Sequence, residues 1–241
     1  MKNKFVFIPE VNHSGSNSGD NETEDRMWDS VSENDTELSL AIRELVQNSI
    51  DAQNDIDENK ICKVKVILKT IDLSFIDSKG LIESIENCIK NSNKEGTINK
   101  MREFKENATK DFSNVQSLII EDESGGLDGE SRFEECGLQD ILNTNSSRKD
   151  DSNLGSFGVG KSTAIRLSNC GTVYYLNQRG NIKRLIGKSV LSGWQKDGAF
   201  YGPQIFCGLK GKNYETDVAK YGKFDDKNKI RSFEKDGLTT I

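Results

Sequence analysis

Residues 154–163 read LGSFGVGKST, and the glycines in this stretch fit two phosphate-binding motifs that belong to different folds. The residues Gly155-x-x-x-x-Gly160-Lys161-Ser162 satisfy the P-loop expression at every position. The same stretch also reads Gly155-x-x-Gly158-x-Gly160, a glycine box that covers the nucleotide in an unrelated fold. Both interpretations predict a phosphate ligand, so the surrounding sequence has to decide between them.

The sequence around this stretch disfavours a P-loop. A P-loop joins a buried strand directly to a helix, whereas residues 143–153, NTNSSRKDDSN, contain no apolar side chain. A P-loop protein also needs an acidic strand end downstream to orient magnesium, and neither TVYYLN nor QIFCGL ends on Asp or Glu. We therefore expect the glycine box and keep the P-loop as the alternative.

A second motif lies upstream, in residues 44–52, ELVQNSIDA. On a helix with about 100° per residue, Glu44, Asn48 and Asp51 fall within an arc of about 60°. This stripe borders the apolar face that contains Leu45. A carboxylate and an amide four residues apart at the rim of a core can hold a water molecule and a magnesium ion together. Ordinary polar residues on a helix surface are the alternative interpretation.

A third motif lies in residues 119–127, IIEDESGGL. Asp122, at the end of a buried strand, can accept a hydrogen bond from a purine amine. Gly125 and Gly126 let the backbone pass close to the base. A strand that simply ends in an Asp-x-x-Gly turn is the alternative.

Together, the three motifs resemble the boxes of the GHKL or Bergerat-fold ATPases, which read E-x-x-x-N-x-x-D-A, D-x-G-x-G and G-x-x-G-x-G. That family includes gyrase B, the heat-shock-ninety chaperones, histidine kinases and MutL, with the Microrchidia ATPases as relatives. The resemblance runs from Leu38 to the C-terminus, and Ser124 departs from it at the first glycine of the second box. It implies an α/β (α+β) two-layer sandwich, a Bergerat fold whose mixed, mostly antiparallel sheet carries helices on one face.

The resemblance also assigns roles. Asn48 would ligate magnesium, and Glu44 would polarise the attacking water as a general base. Asp122 would read adenine, and Lys161 would stabilise charge on the terminal phosphate as a second catalytic residue; a solvated lysine explains that position nearly as well. Thr239 or Thr240 resembles the threonine of the fourth box. The full set of expected nucleotide-binding residues is Asn48, Asp51, Asp122, Gly125, Gly126, Leu127, Gly155, Ser156, Phe157, Gly158, Val159, Gly160, Lys161, Ser162 and Thr240.

The chain is expected to divide at residue 37. Residues 1–37 predict a strand and a flexible arm, and residues 38–241 an ATP-binding domain with a lid at about 128–154, in which Arg148 and Lys149 are most simply solvated. Periodicity predicts helices at 38–53, across most of 71–116, and at 161–169. It predicts strands at 5–8, 63–70, 117–122, 172–176, 182–187, 204–209 and from 237. Because the sequence stops where the fourth box begins, we expect the N-terminal module of a larger protein.

Composition limits the function further. The net charge is −6, from 33 basic and 39 acidic residues, and no basic block indicates an extended nucleic-acid surface; direct nucleic-acid binding is left open. The sequence contains no run of about 18 apolar residues, so no membrane span is predicted. The five cysteines are odd in number and form no CxxC pair, which favours reduced cytoplasmic thiols over zinc or disulfides. His13 is the single histidine, so histidine catalysis and the histidine-kinase branch are disfavoured.

The first box keeps the Glu and the Asp-Ala of the hydrolysing branch of the family. The resemblance therefore implies slow, magnesium-dependent ATP hydrolysis that drives lid closure and ATP-dependent homodimerisation. We expect an effector domain or subunit, such as a nuclease, in bacterial genome (antiviral) defence or DNA transactions. The alternative is a chaperone-like ATPase that acts on client proteins.

Overall fold

The computed structural model of the protein describes residues 5–12, 37–56, 59, 61–127, 159–180, 182–209, 216–217 and 237–241. The helices within these ranges are α1 (Glu37–Ile56), α2 (Lys79–Asn91), α3 (Glu95–Ala108) and α4 (Val159–Leu167). The strands are β1 (Phe5–Asn12), β2 (Val64–Ile71), β3 (Ile76–Asp77), β4 (Val115–Asp122), β5 (Thr172–Arg179), β6 (Ile182–Val190), β7 (Trp194–Lys196), β8 (Ala199–Leu209), β9 (Thr216–Asp217) and β10 (Gly237–Thr240). None of these described helices has the length and apolar character needed to cross a membrane.

The described strands form one sheet in the order β2-β4-β10-β5-β6-β8-β1-β3, with β7 on β8 and β9 on β6. Among the pairs that the structure describes, β1 and β3 run parallel and the others are antiparallel. Strand β10 lies between β4 and β5 and bonds to both. The predicted class, an α/β sandwich with a mixed, mostly antiparallel sheet, is confirmed, and the Bergerat assignment stays a prediction.

Helices cover both faces of this sheet. Successive side chains of a strand point to opposite faces, and residues 172–178 of β5 are all buried. Tyr174 and Leu176 pack in the cluster that contains α2 and α3, whereas Val173 and Tyr175 pack with Ile165 of α4. The expectation of helices on one face only is therefore corrected. The physical reason is the continuous apolar run TVYYL, which is typical of a strand buried on both faces.

The larger core lies between the sheet and the helices α2 and α3. Helix α2 buries Leu81, Ile85 and Cys88, which follow the three-to-four-residue spacing of an amphipathic helix. Helix α3 buries Met101 and Phe104 against the same cluster. Each such side chain contributes about 1.5–3 kcal/mol when fully buried, so this layer provides much of the stability of the fold.

Helix α1 lies on the opposite face, beside α4 and against β4. Its described buried residues are Ala41, Ser49 and Gln53, at spacings of eight and four that keep them on one face of the helix, so two of these three buried positions are polar. An ion pair of 3.0 Å between Arg166 Nη2 and Glu37 Oε1 joins α4 to the first turn of α1. Because buried polar groups are normally hydrogen-bonded, the polar side chains on the buried face of α1 need partners.

Most predicted elements are confirmed with shifted ends, and residues 71–116 are mostly helical, as expected. They contain α2 and α3, together with the end of β2, turns, β3 and the start of β4. Strands β3, β7 and β9 were not predicted, because two or three residues are too few to show a periodicity. The strand expected at residues 5–8 continues to Asn12, into the segment that was expected to be a flexible arm. Residues 13–36 of that arm and the lid at about 128–154 lie outside the described residues.

Candidate functional site

Asp122 is the most enclosed of the predicted acidic residues. It ends β4, and only 5% of its surface is exposed. Its Oδ2 accepts a hydrogen bond of 2.9 Å from Ser49 Oγ. Its Oδ1 accepts bonds from Ser124 Oγ at 2.6 Å and from the Ser124 backbone N–H at 3.1 Å. A buried carboxylate is thus held in one orientation by charge-assisted hydrogen bonds.

These contacts give Ser124 a role at the position where the second box departs from the family pattern. The Ser124 side chain is buried and donates to the carboxylate two residues earlier. A glycine in its place would leave the backbone N–H bond and remove the hydroxyl bond. The departure therefore adds a hydrogen bond to Asp122.

Ser49 joins the first predicted motif to the second. It lies on the buried face of α1, one residue after Asn48, and it reaches a carboxylate 73 positions away in the sequence. Its hydroxyl also lies 3.0 Å from the Leu45 carbonyl oxygen, one turn earlier. Sequence reasoning missed Ser49, although a serine in the apolar stripe of a helix is a signal that a buried partner is needed.

The other residues of the first motif lie on the flank of α1. Glu44 has 18% of its side chain exposed, and its Oε1 lies 3.9 Å from Arg43 Nη2. Asn48 is exposed, and Asp51 is half-buried and accepts a hydrogen bond of 2.7 Å from Gln47 Nε2. The predicted stripe therefore borders the buried face that carries Ser49, with its polar groups open to solvent to different degrees.

The turn after Asp122 needs its glycines. Gly125 and Gly126 have φ values of 85° and 72°, in a region that side chains disfavour. A Cβ atom on Gly126 would lie 2.1 Å from the Gln178 carbonyl oxygen. The second box therefore passes against the end of β5 at a distance that no other residue type permits without a shift.

Leu127, the last residue of this turn, is bonded to Asn177 on β5. The Asn177 Oδ1 accepts from the Leu127 N–H at 2.8 Å, and its Nδ2 donates to the Leu127 carbonyl oxygen at 3.0 Å. Arg179 Nη1 also lies 3.4 Å from the Gly126 carbonyl oxygen. Asn177 was not predicted, and its signal is a polar residue that ends the apolar run TVYYLN.

The third box is described only in part. Helix α4 begins at Val159, so the backbone of Gly160, Lys161 and Ser162 lies in its first turn. The first-turn N–H groups of a helix can bind an anion. Gly155, Ser156, Phe157 and Gly158 lie outside the described residues, as do the side chains of Lys161 and Ser162.

Thr240, the threonine expected from a fourth box, is buried on the Asp122 face of the sheet. It lies opposite Ile120 on β4 and Tyr175 on β5. Residues opposite one another share a face, and side chains two apart in a strand also share it. Thr240 and Asp122 are therefore neighbours on one face, while the side chain of Thr239 is outside the described residues.

Cys62 lies next to Ser49, the residue that binds the Asp122 carboxylate. Its thiol donates to the Ser49 carbonyl oxygen at 3.4 Å. Burial raises the pKa of the Cys62 thiol, and the negative charge of Asp122 raises it further. The four described cysteines, Cys62, Cys88, Cys170 and Cys207, are all free.

The described residues contain no group of three His, Cys, Asp or Glu side chains that could hold a metal ion. Magnesium commonly takes one or two protein ligands and completes its shell with phosphate oxygens and water. The amide oxygen of the exposed Asn48 fits that kind of site.

A cavity of about 200 Å³ lies at the other end of β4. Its walls include Leu45, Leu118, Ala164, Val173 and Ile241. It shares Thr240 with the predicted site, but it borders the beginning of β4, whereas Asp122 ends that strand. We therefore place the candidate site at Asp122 and the flank of α1, not in this apolar cavity.

In comparisons with known proteins, the chain matches no protein-family model, no curated protein and no solved structure.

Proposed function

We propose that this chain binds ATP with magnesium and hydrolyses it slowly. The observation that carries the proposal is the hydrogen bond from Ser49 Oγ to Asp122 Oδ2, at 2.9 Å. It brings the helix of the first motif to the carboxylate of the second, on the face of the sheet that also carries Thr240. The GHKL resemblance implies that the first and second boxes lie close together in this way.

The buried carboxylate supports recognition of adenine. Ionised Asp122 can only accept hydrogen bonds, and adenine presents an exocyclic amino group where guanine presents a carbonyl oxygen. The two serines fix the carboxylate before any ligand arrives, which lowers the ordering cost of binding. The glycines of the turn leave the backbone beside Asp122 without side chains.

The flank of α1 supports the chemistry of the phosphates. Asn48 would ligate magnesium, and Glu44, four residues earlier on the same flank, would polarise the attacking water. The first turn of α4 would offer backbone N–H groups to the phosphates. Helix α4 packs on α1, which is the adjacency that such a division of roles needs.

The sheet favours this reading of LGSFGVGKST over the P-loop. A strand–loop–helix P-loop unit belongs to βαβ folds with parallel neighbouring strands. Here β5, the strand that follows α4, is antiparallel to both of its described neighbours, β10 and β6.

The proposal extends to a lid-closure and dimerisation switch in a larger cytoplasmic machine, with a nuclease or other effector in bacterial defence or DNA transactions. The free cysteines are compatible with a reducing compartment. Light scattering with a non-hydrolysable ATP analogue tests the switch, and the expected result is a nucleotide-dependent dimer. A monomer at every analogue concentration would contradict it.

Calorimetry with Mg-ATP and Mg-GTP tests the proposed function. We expect ATP to bind and GTP to bind more weakly; equal affinities, or no ATP binding, would contradict it. Glu44→Ala should keep ATP affinity and lower turnover by about 100- to 10,000-fold, the usual contribution of a general base. Glu83→Ala is the matched control, because Glu83 lies on α2 and pairs with Lys196 at 2.6 Å. A larger loss from Lys161→Ala than from Glu44→Ala would restore the P-loop.

A further inference from the structure

Asn177 binds the backbone of the Asp122 turn in the way that a neighbouring strand would. Its side-chain amide takes both the N–H and the carbonyl oxygen of Leu127, at 2.8 and 3.0 Å. Only 1% of the Asn177 surface is exposed. An amide is the neutral side chain with a strong acceptor and a strong donor side by side, which is what a single backbone residue requires.

The register of the sheet shows what this contact spans. Asn177 pairs with Leu238 of β10, and the pairing of Thr239 with Glu121 places Asp122 beside Leu238 on the other side. Asp122 and Asn177 therefore lie at one level of the sheet, two strand spacings or about 10 Å apart. Residues 123–127 bridge that distance past the start of β10.

The bridging turn is fixed at each end. At its start, the Glu123 N–H donates to the Lys63 carbonyl oxygen at 3.2 Å, and Ser124 holds the carboxylate. At its far end Leu127 is bonded to Asn177. Between them, Gly125 and Gly126 can adopt many conformations in a free chain. The fixed end at Leu127 therefore limits where Ser124, and with it the Asp122 carboxylate, can lie.

We infer that Asn177 is a positioning residue for base recognition: by holding Leu127 it keeps the Ser124–Asp122 pair oriented for the purine. This inference rests on the proposed function. It concerns a residue that lies outside the three sequence boxes and 50 positions from its backbone partner.

Asn177→Leu tests the inference, because leucine is close in size and removes both hydrogen bonds. Two readouts are needed: amide hydrogen exchange at Leu127 and Ser124 without nucleotide, and the affinities for Mg-ATP and Mg-GTP. We expect faster exchange at both amides, about 10-fold weaker ATP binding from the two lost bonds, and a smaller preference for ATP over GTP. Asn177→Ala also removes both hydrogen bonds, adds no buried charge, and should change both readouts in the same direction.

Asn107→Leu is the matched control. Asn107 also uses its amide to bind backbone of a different segment, donating to the Asn169 carbonyl oxygen at 2.9 Å, but it lies on α3. It should leave the Ser124 exchange rate and the ATP affinity unchanged. If Asn177→Leu speeds exchange at Leu127 alone and leaves Ser124 unchanged, the inference is overturned and Asn177 is a local anchor.

Two further comparisons keep the test decisive if a variant does not fold or if no nucleotide binds. If Asn177→Leu does not fold, the smaller and uncharged Asn177→Ala supplies the same comparison of Ser124 exchange. If the unaltered protein binds no ATP, the proposed function fails, and the Ser124 exchange rate still decides whether Asn177 positions Asp122.

Discussion

Asp111 lies four residues before the start of β4, Asp122 is the last residue of that strand, and both carry the same local motif. Each accepts hydrogen bonds from the N–H and the hydroxyl of the serine two residues later. The distances are 2.9 and 2.5 Å from Ser113 to Asp111, and 3.1 and 2.6 Å from Ser124 to Asp122. Asp111 is exposed, whereas Asp122 is buried. The two aspartates therefore share one hydrogen-bond motif and differ in how far they are buried.

The difference comes from residues far away in the sequence. Ser49 of α1 binds Asp122, and Asn177 of β5 holds the turn that follows it. Asp111 is bound within its own turn, and the bonds from the Ser113 hydroxyl and backbone hold the pKa of its carboxyl below the ordinary value. The Asp-x-Ser hydrogen bonds are thus common to both turns, and only the contacts from α1 to Asp122 and from β5 to the turn after it make Asp122 a candidate recognition site.

The largest expected difference between the two turns is in nucleotide binding. Asp122→Asn should weaken ATP binding about 100-fold, because the lost bond involves a charged group and the new amide can present a donor to the purine amine. Asp111→Asn should leave the affinity within about twofold, since it makes the same chemical change in an exposed turn. Calorimetry measures both. Equal losses would mean that the buried turn has no special part in binding.

The glycines of the Asp122 turn should show the next largest effect, on stability. Gly126→Ala should lower the free energy of unfolding by at least about 2 kcal/mol, since a side chain there meets positive φ and the nearby Gln178 carbonyl. Gly180→Ala is the control: φ is also positive, at 57°, but nothing lies within 4 Å of the added Cβ. It should cost about 1 kcal/mol. Equal values in urea denaturation would show that the crowding relaxes freely.

Removing the contact that distinguishes the two turns should have a smaller effect. Ser49→Ala should lower the free energy of unfolding by about 1.5 kcal/mol, the lower range for a hydrogen bond to a charged group. Ser84→Ala is matched to it, because Ser84 is a buried helical serine whose hydroxyl donates to the carbonyl of Gly80, four residues earlier. The excess loss at Ser49 measures the bond to Asp122. Identical losses would assign that bond no net stability.

The smallest expected effect concerns the exposed turn. Ser113→Ala removes the strongest of the contacts that favour ionised Asp111, so the pKa of Asp111 should rise toward its ordinary value. An NMR titration of the Asp111 carboxyl measures the change, and ATP affinity should not respond. If the pKa stays depressed, the hydroxyl bond does not control the ionisation of this turn.

Much of the secondary structure could be predicted from the sequence, because it follows local patterns. The apolar spacing of ELSLAIRELVQNSIDAQ predicted α1, and the alternation in KVKVILKT predicted β2. The mostly helical character of residues 71–116 was confirmed, but the periodicity did not mark where α2 ends and α3 begins. The continuous apolar run TVYYL is typical of a strand covered on both faces, whereas the family resemblance implied helices on one face only.

The sequence by itself determined the local geometry of this protein: its main helices and strands, the glycines that a tight turn needs, and two aspartates each bound by a following serine. These features depend on residues a few positions apart. Only the tertiary structure decided which aspartate is buried, and that Ser49 and Asn177 support it. Those contacts span 73 and 50 residues, so they form only when α1 and β5 are brought to the end of β4. Burial, unlike a turn, depends on packing between distant segments.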